Sequence, residues 1–323
     1  MLNGVPNFLH TETYDINDLL KHINADNAKD FLLFVDLDNT LIRAAQFIGT
    51  DDFFDMHYDL QINNGKDEKN AFEETLELHN AVNMISSANA VEGKKTQDVI
   101  NTLLGMGVTV IGFTLRGANI ADATQKQLTA AGLDKMTEPF KNIRFSLKIA
   151  PHASFEDGIL YCDDKPKGEC LDEFMQHATV QALKLNQKKI IGFIDDKKKN
   201  IDKVAAVINT TKPHFAAVEQ YVGLHYRYLE STIAEAKLDN KIAIGKVQKQ
   251  HFQARSILLS DEQAQHIVHQ EAQDQQFTLL PPAVTNAFDL AKNQVKIEGH
   301  CVPEVPAMES GIPYHPSREY LTP

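Results

Sequence analysis

The stretch Phe31-Leu32-Leu33-Phe34-Val35-Asp36-Leu37-Asp38-Asn39-Thr40-Leu41 decides the fold. Its five leading apolar residues, bulky or β-branched, predict a strand buried on both faces, as parallel sheets require. The run stops at two carboxylates two positions apart, Asp36 and Asp38. In open α/β sheets, ligands collect just beyond the carboxyl ends of the strands. Two acids at that place are close enough to share one ligand, which points to a metal ion or a transferring phosphoryl group. A strand ending in a helix-capping turn would use the same residue types, since Asp, Asn and Thr all cap well. The rest of the chain decides between the two.

Downstream, apolar spacing predicts a helix over 67–88, with Phe72, Leu76, His79 and Val82 on one side. A second helix over 94–106 stops at Gly107, and the run 108–113 is a second buried strand. This alternation implies a parallel sheet with right-handed crossovers. Helix is expected over 117–132, ending at Gly132. Two β-like runs, 143–149 and 158–162, suit a hairpin with a long connection. Helix over 167–185, a third buried strand over 189–194, helix over 201–208 and a short strand over 214–218 complete a doubly wound core.

Residues 1–30 read as a polar lead-in with a short helix near 16–23, and residues 42–66 as irregular chain. The segment 231–276, rich in Gln, Lys, Glu and Ala, predicts one or two solvated helices. Residues 277–323 carry seven of the twelve prolines, a composition that favours extended chain or disorder.

The other strand ends carry chemistry-bearing residues in a consistent order. Thr114 and Arg116 follow the second strand. Lys167, with Gly168 behind it, opens a helix just before the third strand, and Lys165 is its nearest rival. Asp195 and Asp196 close the third strand, with Asn200 a short step beyond. Each feature alone has a plain structural explanation. Four in order, each at a strand end or helix start, are far more specific.

In these motifs, Asp36-Leu37-Asp38-Asn39-Thr40 (D-x-D-x-T) first, the chain resembles the haloacid dehalogenase-like (HAD) hydrolase superfamily over about residues 31–220. The runs Ile111-Gly112-Phe113-Thr114-Leu115-Arg116-Gly117, Gly158-Ile159-Leu160-Tyr161 with Lys167-Gly168-Glu169, Ile194-Asp195-Asp196 and Gly223-Leu224-His225-Tyr226-Arg227 look like a bacterial subgroup of it. The resemblance implies a Rossmannoid α/β core over 31–230 with a small helical cap inserted at about 43–93. It also allows a hairpin insertion at about 140–163 and adds a C-terminal extension over 231–323. It implies Asp36 as nucleophile, Asp38 as acid and base, and Thr114 and Lys167 as phosphoryl ligands. Arg116 is either a phosphate or substrate contact or a surface ion pair. Mg²⁺ is expected on Asp36, the backbone carbonyl of Asp38, Asp195 and Asp196, with Asn200 behind them. Phe53, Phe54, His57 and Tyr58 fall where the family has a mobile flap, although packing is the simpler role for an aromatic cluster. His225 and Arg227 are read as structural.

The function so implied is a Mg²⁺-dependent phosphatase, acting on a small phosphomonoester, or a phosphoprotein, through an aspartyl-phosphate. A phosphotransferase is a variant of the same chemistry. The alternative is an interaction protein on the same scaffold, engaging a protein partner through the C-terminal extension. A receiver domain is shorter, and its acidic pair precedes the phosphorylated Asp. The glycine-rich P-loop, H-E-x-x-H, G-x-S-x-G and Rossmann fingerprints are all missing from the sequence.

Bulk properties narrow the setting. The 323 residues suffice for one large core with accessory parts, and a net charge of −12 argues against nucleic acid or an anionic membrane as partner. Three cysteines, Cys162, Cys170 and Cys301, with no C-x-x-C spacing, suit a reduced compartment without disulfides or structural zinc. The first residues lack a signal-peptide layout, so a cytoplasmic location is expected, with export by a dedicated secretion system as the other route.

Overall fold

The computed structural model describes residues 6–210, 212–236 and 238–278, with side chains through 272. The expectation for the proline-rich end, from residue 279 on, and Cys301 lie outside the described residues. In chain order the elements are β1 (Asn7–Thr13), β2 (Phe31–Val35), β3 (Ile42–Ala44), α1 (Asp51–Asn63), α2 (Glu68–Asn83), β4 (Ala88–Ala90), α3 (Lys94–Met106), β5 (Thr109–Thr114), α4 (Ala121–Ala130), β6 (Arg144–Ser146), β7 (Ser154–Glu156), β8 (Ile159–Tyr161), α5 (Lys167–Gln176), α6 (Ala178–Ala182), β9 (Ile190–Asp195), α7 (Lys198–Ile208), β10 (Gln220–Tyr226), α8 (Glu230–Glu235), α9 (Asp239–Arg255) and α10 (Asp261–Thr278). The sheets belong to the first of two compact units, Met1–Gln270; of the second, Glu271–Pro323, only the end of α10 is described. No helix among the described residues is long and apolar enough to cross a membrane.

The central sheet has eight strands in the order β1-β10-β9-β2-β5-β8-β7-β6, parallel from β1 to β8 and antiparallel beyond. This is the α/β, doubly wound arrangement expected. The five residues of β2 are buried, and they alternate between two cores. Phe31, Leu33 and Val35 face one, with Val99 and Leu103 of α3; Leu32 and Phe34 face the other, with Leu171 and Phe174 of α5. Helices on both faces explain the unbroken apolar run. The connection leaves β2 toward β5 on one side and later returns to β9 on the other. The ends of β5, β2 and β9 therefore meet where the strand order reverses, the usual place for a ligand in such sheets.

Between β2 and α3 the chain makes an insertion. β3 and β4 pair antiparallel, Ile42 opposite Ala90, and carry the α1–α2 hairpin. This corrects the irregular chain expected over 42–66. Asp51 and Asp52 look like loop residues, but they form the first turn of a helix capped by Thr50, whose hydroxyl accepts from Phe53 N. Carboxylates at a helix N-terminus are stabilised by its dipole.

Four more expectations change. Residues 7–13 of the lead-in form β1, an edge strand paired with β10, whose alternating polar residues hide it. The last parallel strand is 220–226, not 214–218, because Pro213 starts a single 3-10 turn there. The two β-like runs are three strands, with β7 and β8 joined by Asp157 and Gly158 at φ +48° and +88°. Positive φ at both loop positions is the hairpin geometry that Asp-Gly favours. The helix expected over 167–185 breaks at His177, which caps α6 through its Nδ1. Cys162 and Cys170 are buried free thiols.

The start of the extension is also more than a solvated helix. Ile244, Gly245, Val247 and Gln248 of α9 are buried. The Gln248 side chain accepts from Ile48 N (3.1 Å) and donates to Leu259 O (3.1 Å) and Asp261 Oδ1 (2.9 Å). Phe47 N donates to the same Asp261 oxygen (2.9 Å). Phe47, Phe53, Leu78 and Val82 share a small core with Ala236, against which Phe252 and Leu258 pack. Lys249 Nζ donates to Nε2 of buried His57 (2.6 Å), whose Nδ1 lies 3.0 Å from the Thr75 hydroxyl.

Burial, with Lys249 and Lys66 nearby and Glu74 opposing, pushes the His57 imidazole down to about 4. An unfolded histidine titrates near 6.5. Between these values the unfolded chain binds a proton that the folded chain refuses. The stabilisation, at most about 3 kcal/mol, is therefore full above pH 6.5 and is lost as pH falls toward 4. Urea midpoints at pH 7 and pH 4.5 should fall less in His57→Gln than in the parent; equal falls would rule this out.

Candidate active site

The three central strands each deliver one functional side chain. Asp36 follows β2, Thr114 ends β5 and Asp195 ends β9. Lys167 reaches in from the first turn of α5. Its ammonium donates to Asp36 Oδ1 at 2.5 Å and to Asp195 Oδ2 at 2.7 Å. Lys167 is 1% exposed, Asp195 0% and Asp36 6%. The ammonium also lies 5.3 Å from the ring centroids of Phe113 and Phe193, so aromatic faces complete its surroundings. Lys167 is thus the lysine that the strand ends use; the rival Lys165 is exposed.

Two features of α5 put Lys167 there. Pro166 precedes the first turn, with no N–H to leave unpaired. Gly168 lets α5 approach α7: a Cβ on it would meet the Lys203 carbonyl oxygen at 2.6 Å. On the other side, Asp195 is fixed by Lys197 N (2.7 Å) and by Asn200 Nδ2, at 3.0 and 3.1 Å from its two oxygens. Asn200 thus holds the Asp195 carboxylate in place.

Asp36, Asp195 and Asp196 each offer an oxygen, all within 4.8 Å of one another. Burial and neighbouring carboxylates push the Asp36 carboxyl up to about 7 against the opposing pull of Lys167. The same causes raise Asp196 well above the usual carboxylate range. The Lys167 ammonium reaches only Asp36 and Asp195 of the three, and an all-oxygen donor set suits a hard divalent cation such as Mg²⁺. The side chain of Asp38 stands outside this cluster.

Asp38 instead faces Arg116, whose Nε and Nη2 donate to its two oxygens at 2.8 and 2.7 Å. Arg116 is 8% exposed, and its Nη1 donates to Thr124 (3.1 Å) and Gln127 (2.7 Å). It lines the cleft, but it is not a surface ion pair, and these guanidinium bonds hold an acid. The Gln127 amide in turn donates to the carbonyl and side-chain oxygens of Asn83 and Ser86, at the end of α2. Thr114 accepts from Arg116 N (3.1 Å), and its own hydroxyl hydrogen has no acceptor among the described residues.

A cleft of about 350 Å³ opens over these groups. Its floor is the set of strand ends, and its roof is Phe54, Phe72, Leu76 and His79 of α1 and α2, with Asp51, Asp55 and Asn80 of the same helices. Of the aromatic residues considered for a flap, Phe53 and His57 are buried packing groups stacked on each other, whereas Phe54 lines the cleft. Asp51 anchors the hairpin to the floor through Lys197 Nζ (3.1 Å). His225 donates to the Asp196 carbonyl (3.0 Å), and Arg227 pairs with Glu12 and Glu230, so both are structural as expected. Asp51, Lys197 and His79 escaped the sequence reading. The first looked like loop, the second like one of a run of lysines, and the third like one of a helix's apolar row.

The family model described as "Protein of unknown function (DUF2608)" matches residues 12–265. The chain belongs to that family. The DUF2608 match spans every residue of the site and the whole of α9, so the buttressed hairpin and the carboxylate cluster fall within one family unit. No curated protein matches the chain.

Removing the ammonium would leave two buried carboxylates facing each other. Lys167→Met is expected to cost about 3–5 kcal/mol, read from urea unfolding in the presence of a chelator. An unchanged midpoint would mean that the bridge contributes little. Gly168→Ala should cost about 1–3 kcal/mol by forcing α5 off α7, and a variant as stable as the parent would contradict the close approach.

Proposed function

We propose that this DUF2608 chain is a Mg²⁺-dependent phosphohydrolase that cleaves a phosphomonoester through an aspartyl-phosphate, on a HAD-type core. The observation that carries the reading is the buried ammonium of Lys167 bridging Asp36 and Asp195 at the ends of adjacent strands. A scaffold without chemistry has no use for a costly buried charge cluster opening into a cleft. The α1–α2 insertion is read as the cap.

In this reading the phosphoryl group sits over the strand ends. Lys167 has a third N–H and Thr114 a free hydroxyl to donate to its oxygens, where charge stabilisation counts most. The Asp36 carboxylate attacks phosphorus, and the bond to the ester oxygen breaks as Asp38 gives that oxygen a proton. Asp38 then takes a proton from water, whose oxygen attacks the phosphorus of the aspartyl-phosphate. Inorganic phosphate leaves and Asp36 is regenerated. Arg116 keeps Asp38 pointed at the leaving oxygen. Mg²⁺, held by Asp36, Asp195 and Asp196, would neutralise charge on the phosphoryl oxygens.

Hydrolysis of p-nitrophenyl phosphate and of acetyl phosphate, with and without Mg²⁺, tests the proposal. Magnesium-dependent release of phosphate should fall at least about a thousandfold in Asp36→Asn. Release that survives the substitution, or that ignores Mg²⁺, would sink it. Transfer to added glycerol in place of water would mark a phosphotransferase.

A further inference from the structure

The roof of the cleft holds a polar group with nothing to bind. His79 is 8% exposed, and its Nδ1 is closed off without a hydrogen-bond partner. Nε2 makes no hydrogen bond among the described residues either, but it is not closed off, so it is the nitrogen that a molecule in the cleft can reach. The other buried histidine of the same hairpin, His57, is satisfied on both nitrogens by Lys249 and Thr75. Unpartnered buried polar groups are rare and call for an explanation. Leu or Phe would fill the space at position 79 without that cost.

The surroundings of the ring say what Nε2 would meet. Phe54 meets the imidazole edge-on, centroids 5.5 Å apart at 86°, and meets Phe72 at 5.8 Å and 73°. With Leu76 these form an apolar, largely aromatic stretch beside one imidazole, and Asp55 and Asn80 of the same helices supply polar lining. His79 shares the cleft with Asp51, Asp38, Arg116 and Lys197, whose charges all act on it. A cleft of about 350 Å³ holds a phosphoryl group and one ring system. A polyol would lose its water against Phe54 and Phe72 with little return, whereas a flat ring covers them well.

We infer that Phe54, Phe72 and His79 form a leaving-group site for small phosphomonoesters that carry a flat ring with a hydrogen-bonding edge, and that His79 binds that edge. The inference rests on the phosphohydrolase reading and assigns its substrate class. Aryl phosphates and nucleoside 5′-monophosphates share this chemistry.

Binding to the Asp36→Asn protein with Mg²⁺, followed by calorimetry, tests it separately from turnover. p-Nitrophenyl phosphate or a nucleoside 5′-monophosphate should bind at least about tenfold tighter than glycerol 3-phosphate, and the better of the two names the source of the ring. Adding His79→Ala should cut that preference about tenfold. Phe72→Leu, at a half-buried position that tolerates change, should cut it as well. Equal binding of ring and glycerol esters, no binding of either, or a preference that survives both substitutions would overturn the inference. Ring-selective binding without turnover in the parent would overturn only the hydrolase reading. Turnover without ring selectivity would overturn only this one.

Discussion

One ammonium ion holds the centre of this protein together. Lys167 lies between Asp36 and Asp195, shielded by Phe113 and Phe193. For that to happen, β2 must neighbour β9, which the strand order secures, and α5 must start close behind both. The approach of α5 to α7 at Gly168 follows from the same demand. A buried charge cluster of this kind is tolerated because each member has partners: Asp195 takes hydrogen bonds from Lys197 N and Asn200, and Asp36 takes the lysine.

The α1–α2 hairpin is held from two directions. Below, Asp51 meets Lys197, and Asp52 meets Arg43 of β3. On its other side, α9 supplies Gln248 and Lys249 and covers Phe47 and Phe53. The extension is thus, through α9, part of the architecture that shapes the cleft.

Much of this was legible in the residues, and the gaps have physical causes. Strands β2, β5 and β9 announce themselves because burial on both faces demands continuous apolar runs. The strand-end acids follow from them, and Gly107, at φ +89°, marks the end of α3 as read. Edge strand β1 carries no such run, since among the described residues one side of it pairs with nothing. The Asp157-Gly158 turn was a readable hairpin signal in a segment where the run lengths misled. Helix was expected over α9, but its burial was not, because Gly245 and Gln248 are buried beside Ile244 and Val247 in place of a continuous apolar stripe. For Arg116 the residue type left two partners open, substrate or surface acid; the fold supplied a third, Asp38, which only three-dimensional proximity reveals.

The hydrogen-bonded series from Asp38 through Arg116 and Gln127 to Asn83 and Ser86 joins an acid on the floor of the cleft to the end of the helix that roofs it. Under the proposed phosphohydrolase reading, that acid would serve the leaving group that the roof selects. A substitution in α2 that reshapes the roof would then also pull on the acid, and a matching change in α4 would be needed to return it to its place.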